Sequence, residues 1–206
     1  MSFQQWGALL WQQIRDTDSL QWLAVAFAVA EVLLAKANKI WLYPAGIIAT
    51  VLSVYILLQA GLYAESLLNG YYFIMSVYGW WYWTKKKNKP VVKISFSNRT
   101  DWIITLLIAI GSFALLSVML KQFTDSTVPY WDAWVSATAW AGMWLLSRRK
   151  IENWVWLNIS NIFAIPLLMH KQMPLFAALT LFLFIVAVLG YIQWHKILKT
   201  EKAITP

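Results

Sequence analysis

The chain of 206 residues contains no cysteine, so it has neither a disulfide framework nor a thiolate metal site. Charge is scarce too. Only 13% of the residues are Asp, Glu, Lys or Arg, against about 25% in a typical soluble domain. Of the two histidines, His170 and His195, each stands at the end of an apolar run. No H-E-x-x-H, no paired carboxylates on one helical face and no P-loop occur. These absences speak against an enzyme and a primary pump, and neither a metal nor a cofactor is expected. Polar stretches long enough to be a soluble domain are also lacking.

What is present is hydrocarbon. Sixty per cent of the chain is hydrophobic and the mean hydropathy is +0.56. A helix of about 17–25 apolar residues crosses a bilayer with its backbone satisfied internally. Seven such segments are predicted, at Trp22–Ala37, Ile40–Gln59, Ser66–Trp83, Trp102–Leu120, Trp131–Leu146, Trp154–Met169 and Leu175–Trp194. Before them, Phe3, Trp6, Leu10 and Ile14 have the spacing of an amphipathic helix on the membrane surface. The formal charge of +8 sits in short gaps between apolar runs rather than on a polar face, so lipid, and not nucleic acid, is the expected surrounding.

Lys and Arg are retained on the cytoplasmic side. Lys36 and Lys39, the run from Lys85 to Arg99, Arg148–Lys150 and the lysines after His195 share one side; Arg15, Lys121 and Lys171 take the other. The N-terminus is therefore predicted outside and the C-terminus inside a bacterial inner membrane. Trp80, Trp81, Tyr82 and Trp83 read as an aromatic belt at the inner interface.

Shifting the chain by 111 residues aligns Gln21–Trp83 with Asp132–Trp194 without a gap. Fourteen of the 63 positions are identical, among them Lys39/Lys150, Gly79/Gly190 and Trp83/Trp194. One span lies between the copies, so both enter the membrane in the same direction, a plan used by transporters with a midplane site. The expected fold is an all-α membrane protein of seven transmembrane helices in a 3+1+3 parallel repeat. Residues 1–20 form an N-terminal amphipathic segment, 21–83 the first repeat and 84–130 a basic loop with a linker helix. Residues 131–194 form the second repeat, and 195–206 a cytoplasmic tail.

An asymmetric ligand needs a site where the copies differ. Asn69, Tyr72 and Ser76 share a face of the third span, whereas their counterparts Thr180, Leu183 and Ala187 are mostly apolar. Trp154, Asn158 and Asn161 recur at helical spacing in the sixth span, opposite Tyr43, Ile47 and Thr50 of the second. Intramembrane amides either glue helices together or face a cavity. As a set, Asn69, Tyr72, Ser76, Trp154, Asn158, Asn161, Thr50 and Tyr43 suggest a small-molecule site in which aromatic faces cover a flat, cationic ring. The third and sixth spans are expected to face each other across it. Glu31, the one acid well inside a span, can pair with Lys36 or present charge to the pathway. Asp101, Asp132, Glu152 and Glu65 lie where carboxylates cap helix starts. A ligand-sensing receptor or scaffold is the competing class, and it would tolerate apolar replacement of Asn158 and Asn161.

The stretches "AGLYAESLLNGYYFIMSVYGWWYW" and "YWDAW…SRRKIENW" resemble the PnuC family of bacterial vitamin transporters over about Leu20 to Trp194. The resemblance implies SWEET-like three-helix bundles repeated around a linker helix, in a homotrimer. It also implies uptake of nicotinamide riboside by facilitated diffusion, with trapping by a cytoplasmic kinase. "LYAESLLNGYY" is similar to members that carry thiamine, and thiamine is the alternative substrate on the same fold.

Overall fold

The computed structural model describes residues 3–84 and 92–204. Lys85, Lys86, Lys87 and Lys89 of the basic cluster lie outside them, as do the side chains of Phe3, Glu65 and Lys202. The described residues form eight helices: α1 (Phe3–Asp16), α2 (Ser19–Lys36), α3 (Leu42–Gln59), α4 (Tyr63–Thr84), α5 (Arg99–Phe123), α6 (Pro129–Ser147), α7 (Asn153–His170) and α8 (Pro174–Ile204). Each of the seven expected spans falls on one helix, α2 to α8. Four of them, α2, α3, α5 and α8, are long and apolar enough by composition alone to cross a membrane. Helix α8 runs on without a break past Trp194, and Leu198 joins the core, so the last span and the start of the expected tail are one element.

The ends follow from local chemistry. Asp18 caps α2 by accepting from the Leu20 amide, and Asn98 and Asp101 form a reciprocal capping box at α5. Pro129 opens α6 at a position that needs no amide hydrogen. The positive-φ residues in the described chain are Asn38, Gly61, Arg149 and Gln172, with φ of 55°, 72°, 60° and 57°. They close helices in the left-handed conformation. Asn38 and Arg149 are 111 residues apart, and so are Gly61 and Gln172. The backbone hydrogen bonds around them repeat at the same offset: Lys39 N–H to Leu34 C=O and Lys150 N–H to Leu145 C=O, both 2.9 Å.

Contacts among the helices run in a closed circuit. Helix α3 packs between α2 and α4, α7 packs between α6 and α8, and the two trios meet where α4 touches α6 and α8 touches α2. No contact joins α2 to α4 or α6 to α8 among the described residues, so six helices surround a common interior. Helix α5 lies outside this ring against α6, and α1 is tied to α8 by Gln13, which donates to the Gln172 carbonyl and accepts from the Leu175 amide.

The core lies at the end of the ring that carries the basic turns. Trp83 donates its indole N–H to the Ser147 carbonyl, joining α4 to the end of α6, and Trp194 donates to the Ala35 carbonyl, joining α8 to the end of α2. Trp80 and Trp81 are exposed as a belt requires, and Tyr82 lies under the Arg148 guanidinium. Trp83 departs from that expectation: it is 7% exposed and belongs to the core, because the α4–α6 seam buries its face of the helix. Two expected caps also act elsewhere. Glu152 accepts from the amide and hydroxyl of Ser97 and pins residues 92–98 along the α6–α7 turn, and Asp132 binds Lys171 at 2.6 Å. Asp101, besides its capping role, pairs with Lys150 at 3.0 Å.

Candidate functional site

The interior of the ring is read from where the side chains fall on each helix. On α2 the exposed residues Trp22, Leu23, Ala26 and Leu33 mark one face, and Glu31 projects from the opposite one. On α7, Val155, Ile162 and Phe163 are exposed, whereas Trp154 and Asn161 point away from them. Asn158 lies beside that inner face, and its side-chain carbonyl accepts from the Asn161 amide at 3.4 Å. On α4, Phe73, Ile74, Val77 and Trp81 are exposed, and Tyr72 lies on the other side of the helix.

Tyr43 and Trp154, expected to cover a ring, are each 1% exposed and lie in the core at corresponding positions of the two trios. Tyr43 packs on Gly79 and meets the Trp83 ring edge-on at 5.1 Å. Trp154 packs on Gly190 and meets Trp194 at 5.5 Å. A Cβ at Gly190 would lie 2.7 Å from the Trp154 ring, so glycine is required for this approach. The two aromatics therefore close off the interior at its basic end. Their polar atoms are nonetheless unsatisfied. Among the described residues, the Tyr43 hydroxyl, the Ser76 hydroxyl and the Trp154 indole N–H are buried without a hydrogen-bond partner.

Asn69 borders a cavity of about 570 Å³ between α2, α3 and α8, together with Gln21, Trp22 and Ser53. Thr50 donates to the Gly46 carbonyl at 2.7 Å and lines a separate hollow between α3 and α4. A larger cavity, about 940 Å³, lies at the end opposite the basic turns, lined by the α5–α6 connection and by Asp132, Ser136, His170 and Lys171. Leu62 borders both this cavity and the one at Asn69. Helices α4 and α7 are not neighbours in the ring, because α6 lies between them, so they can meet only across its interior.

Glu31 does not pair with Lys36: among the described residues it makes no ion pair and no hydrogen bond. Its carboxylate rests instead against Gly46 of α3, where an added Cβ would come within 2.6 Å of its Cδ. The hydroxyls of Tyr43 and Tyr72 are within electrostatic reach. Sequence reasoning missed Gly46, although its spacing from Glu31 could have been compared with that of Gly142 and Leu157 at the 111-residue offset.

A ring of membrane helices around polar side chains is the architecture of a small-molecule transporter. A family profile described as nicotinamide mononucleotide transporter matches residues 18–196, and the chain belongs to that family. It is 25% identical to the nicotinamide riboside transporter PnuC of Escherichia coli (strain K12), the match covering 71% of this chain and 73% of that protein. The same protein from Shigella flexneri matches equally. The crystal structure of the vitamin B3 transporter PnuC superposes with a TM-score of 0.70 at 22% identity, covering 95% of this chain and 88% of that one. The chain is thus a multi-pass membrane transporter acting on a small molecule.

Proposed function

We propose that the chain takes up nicotinamide riboside by facilitated diffusion through the six-helix interior, with the N-terminus outside, and that a cytoplasmic kinase traps the product. The observation that carries this reading is the closed circuit of helices with Glu31, Tyr72 and Asn161 turned inward, in a chain whose relatives bear the name of that substrate. The paired turns at Asn38/Arg149 and Gly61/Gln172 support two parallel three-helix units, with α5 as the linking span and seven crossings in all. The concentration of Lys and Arg at one end supports the orientation. Asn69, Tyr72, Ser76, Thr50, Asn158 and Asn161 are the proposed substrate contacts, with Tyr43 and Trp154 as the floor. Assembly as a homotrimer belongs to the same proposal.

A ligand that binds only the folded state raises its stability, by about 2.7 kcal/mol at a hundred times its Kd. Nicotinamide riboside is expected to raise the thermal midpoint of the purified protein, and Asn161→Leu to remove that shift while leaving a monodisperse protein. Trp154→Ala is unsuitable as the binding variant, because it opens the core against Gly190. Stabilisation by thiamine and not by nicotinamide riboside would replace the substrate. A wild-type shift that persists in Asn161→Leu would remove this asparagine from the site.

A further inference from the structure

Four residues at two equivalent places determine how the two trios differ in charge. In the first, Glu31 of α2 lies over Gly46 of α3. At the 111-residue offset, Gly142 of α6 stands where Glu31 stands, and Leu157 of α7 stands where Gly46 does. The contact is kept with its partners reversed: a Cβ at Gly142 would lie 2.8 Å from Leu157 Cγ, just as one at Gly46 would strike the Glu31 carboxylate. In each half a glycine on one helix admits a large side chain from its neighbour, from the preceding helix at Gly46 and from the following one at Gly142. One half fills the space with hydrocarbon and the other with a carboxylate.

Packing alone does not require the acid, since Leu157 solves the same geometric problem without one. An acid inside a membrane bundle is costly unless paired, and such residues usually mark a pathway. Glu31 has no hydrogen bond or ion pair among the described residues, it faces away from the lipid side of α2, and the hydroxyls of Tyr43 and Tyr72 are within electrostatic reach of it. We propose that Glu31, seated in the notch left by Gly46, is the counter-charge by which this transporter selects a substrate bearing a positively charged aromatic ring. Such a ring spreads its charge over a flat face, so a carboxylate at its edge and aromatic faces around it recognise it without directional donors. Gly142 leaves the second half neutral, which gives the bound ring a single orientation.

The inference rests on the uptake reading above and deepens it. Its test compares nicotinamide riboside, a cation, with its dihydro form, which has nearly the same shape and no charge. Affinities for both are measured by calorimetry on wild type and on the near-isosteric Glu31→Gln. Wild type is expected to prefer the cation at least about tenfold. Glu31→Gln is expected to lose that preference, weakening for the cation and holding for the neutral form. An unchanged preference in Glu31→Gln, or an equal loss for both compounds, overturns the role of Glu31 and leaves the uptake reading standing. Failure of wild type to bind either compound overturns the uptake reading itself.

Discussion

Truncation of Trp194 to alanine is expected to cost about 3–5 kcal/mol of stability, the range for removing a large aromatic from a packed core. Trp194 is fully buried, meets Trp154 edge-on and donates to the Ala35 carbonyl at 3.0 Å, so it joins α8 to α2 where the ring closes. Helices in a membrane gain little from burying apolar surface against one another, and they depend on packing and on hydrogen bonds across seams. The alanine variant removes both at once. Trp194→Phe keeps most of the packing and loses the donor, which contributes about 1 kcal/mol. The expected order in an unfolding titration in detergent is wild type, then phenylalanine, then alanine, with the larger step at alanine. Equal costs for the two variants would mean that the hydrogen bond, and not the ring, closes the circuit.

The reach and the limit of the sequence both show in these residues. Helix positions were legible because apolar runs must be long enough to cross a bilayer and the turns between them are marked by lysine, glycine and proline. The 111-residue offset was legible from Gly79/Gly190 and Trp83/Trp194. What those pairs do was not. Trp83 reads as an interfacial ring by its neighbours Trp80 and Trp81, and only the packing of α4 on α6 turns it inward. Tyr43 and Trp154 read as site residues because polar residues follow them at helical spacing. The glycines that receive them lie 36 residues further along, at Gly79 and Gly190, and such a pairing is visible only when both copies are compared at once. Glu31 stands out in the sequence as the one acid well inside a span, but Gly46, against which it rests, has no side chain to attract notice. That α6 stands between α4 and α7 in the ring is a consequence of helix order that no periodicity within one helix reveals.

Ring order also suggests what must part for a substrate to leave at the basic end. Arg149 donates from Nε to Asn38 Oδ1 at 2.9 Å and from Nη1 to the Val92 carbonyl, and its guanidinium lies 4.0 Å above the Trp83 ring. Asn38 and Arg149 occupy the same left-handed turn position in the two trios, so this bond ties the halves at equivalent points. A charge-assisted hydrogen bond contributes about 1.5–3 kcal/mol, and 1.4 kcal/mol is a factor of ten in an equilibrium. Arg149→Asn is therefore expected to raise the population open at this end at least about tenfold. The chain contains no cysteine, so Ser76→Cys, a buried and nearly volume-conserving replacement on α4, supplies a lone reporter. Its rate of labelling by an impermeant thiol reagent applied from the basic side should rise at least about tenfold on adding Arg149→Asn. In the swapped pair Asn38→Arg with Arg149→Asn, the guanidinium returns to the same junction from the other half, with Trp194 where Trp83 was, and protection should largely return. Labelling that is indifferent to Arg149→Asn would show that the bond does not hold this end shut. Labelling that stays fast in the swap would show that the Val92 contact, which has no counterpart in the other repeat, holds this end shut in place of the Asn38 contact.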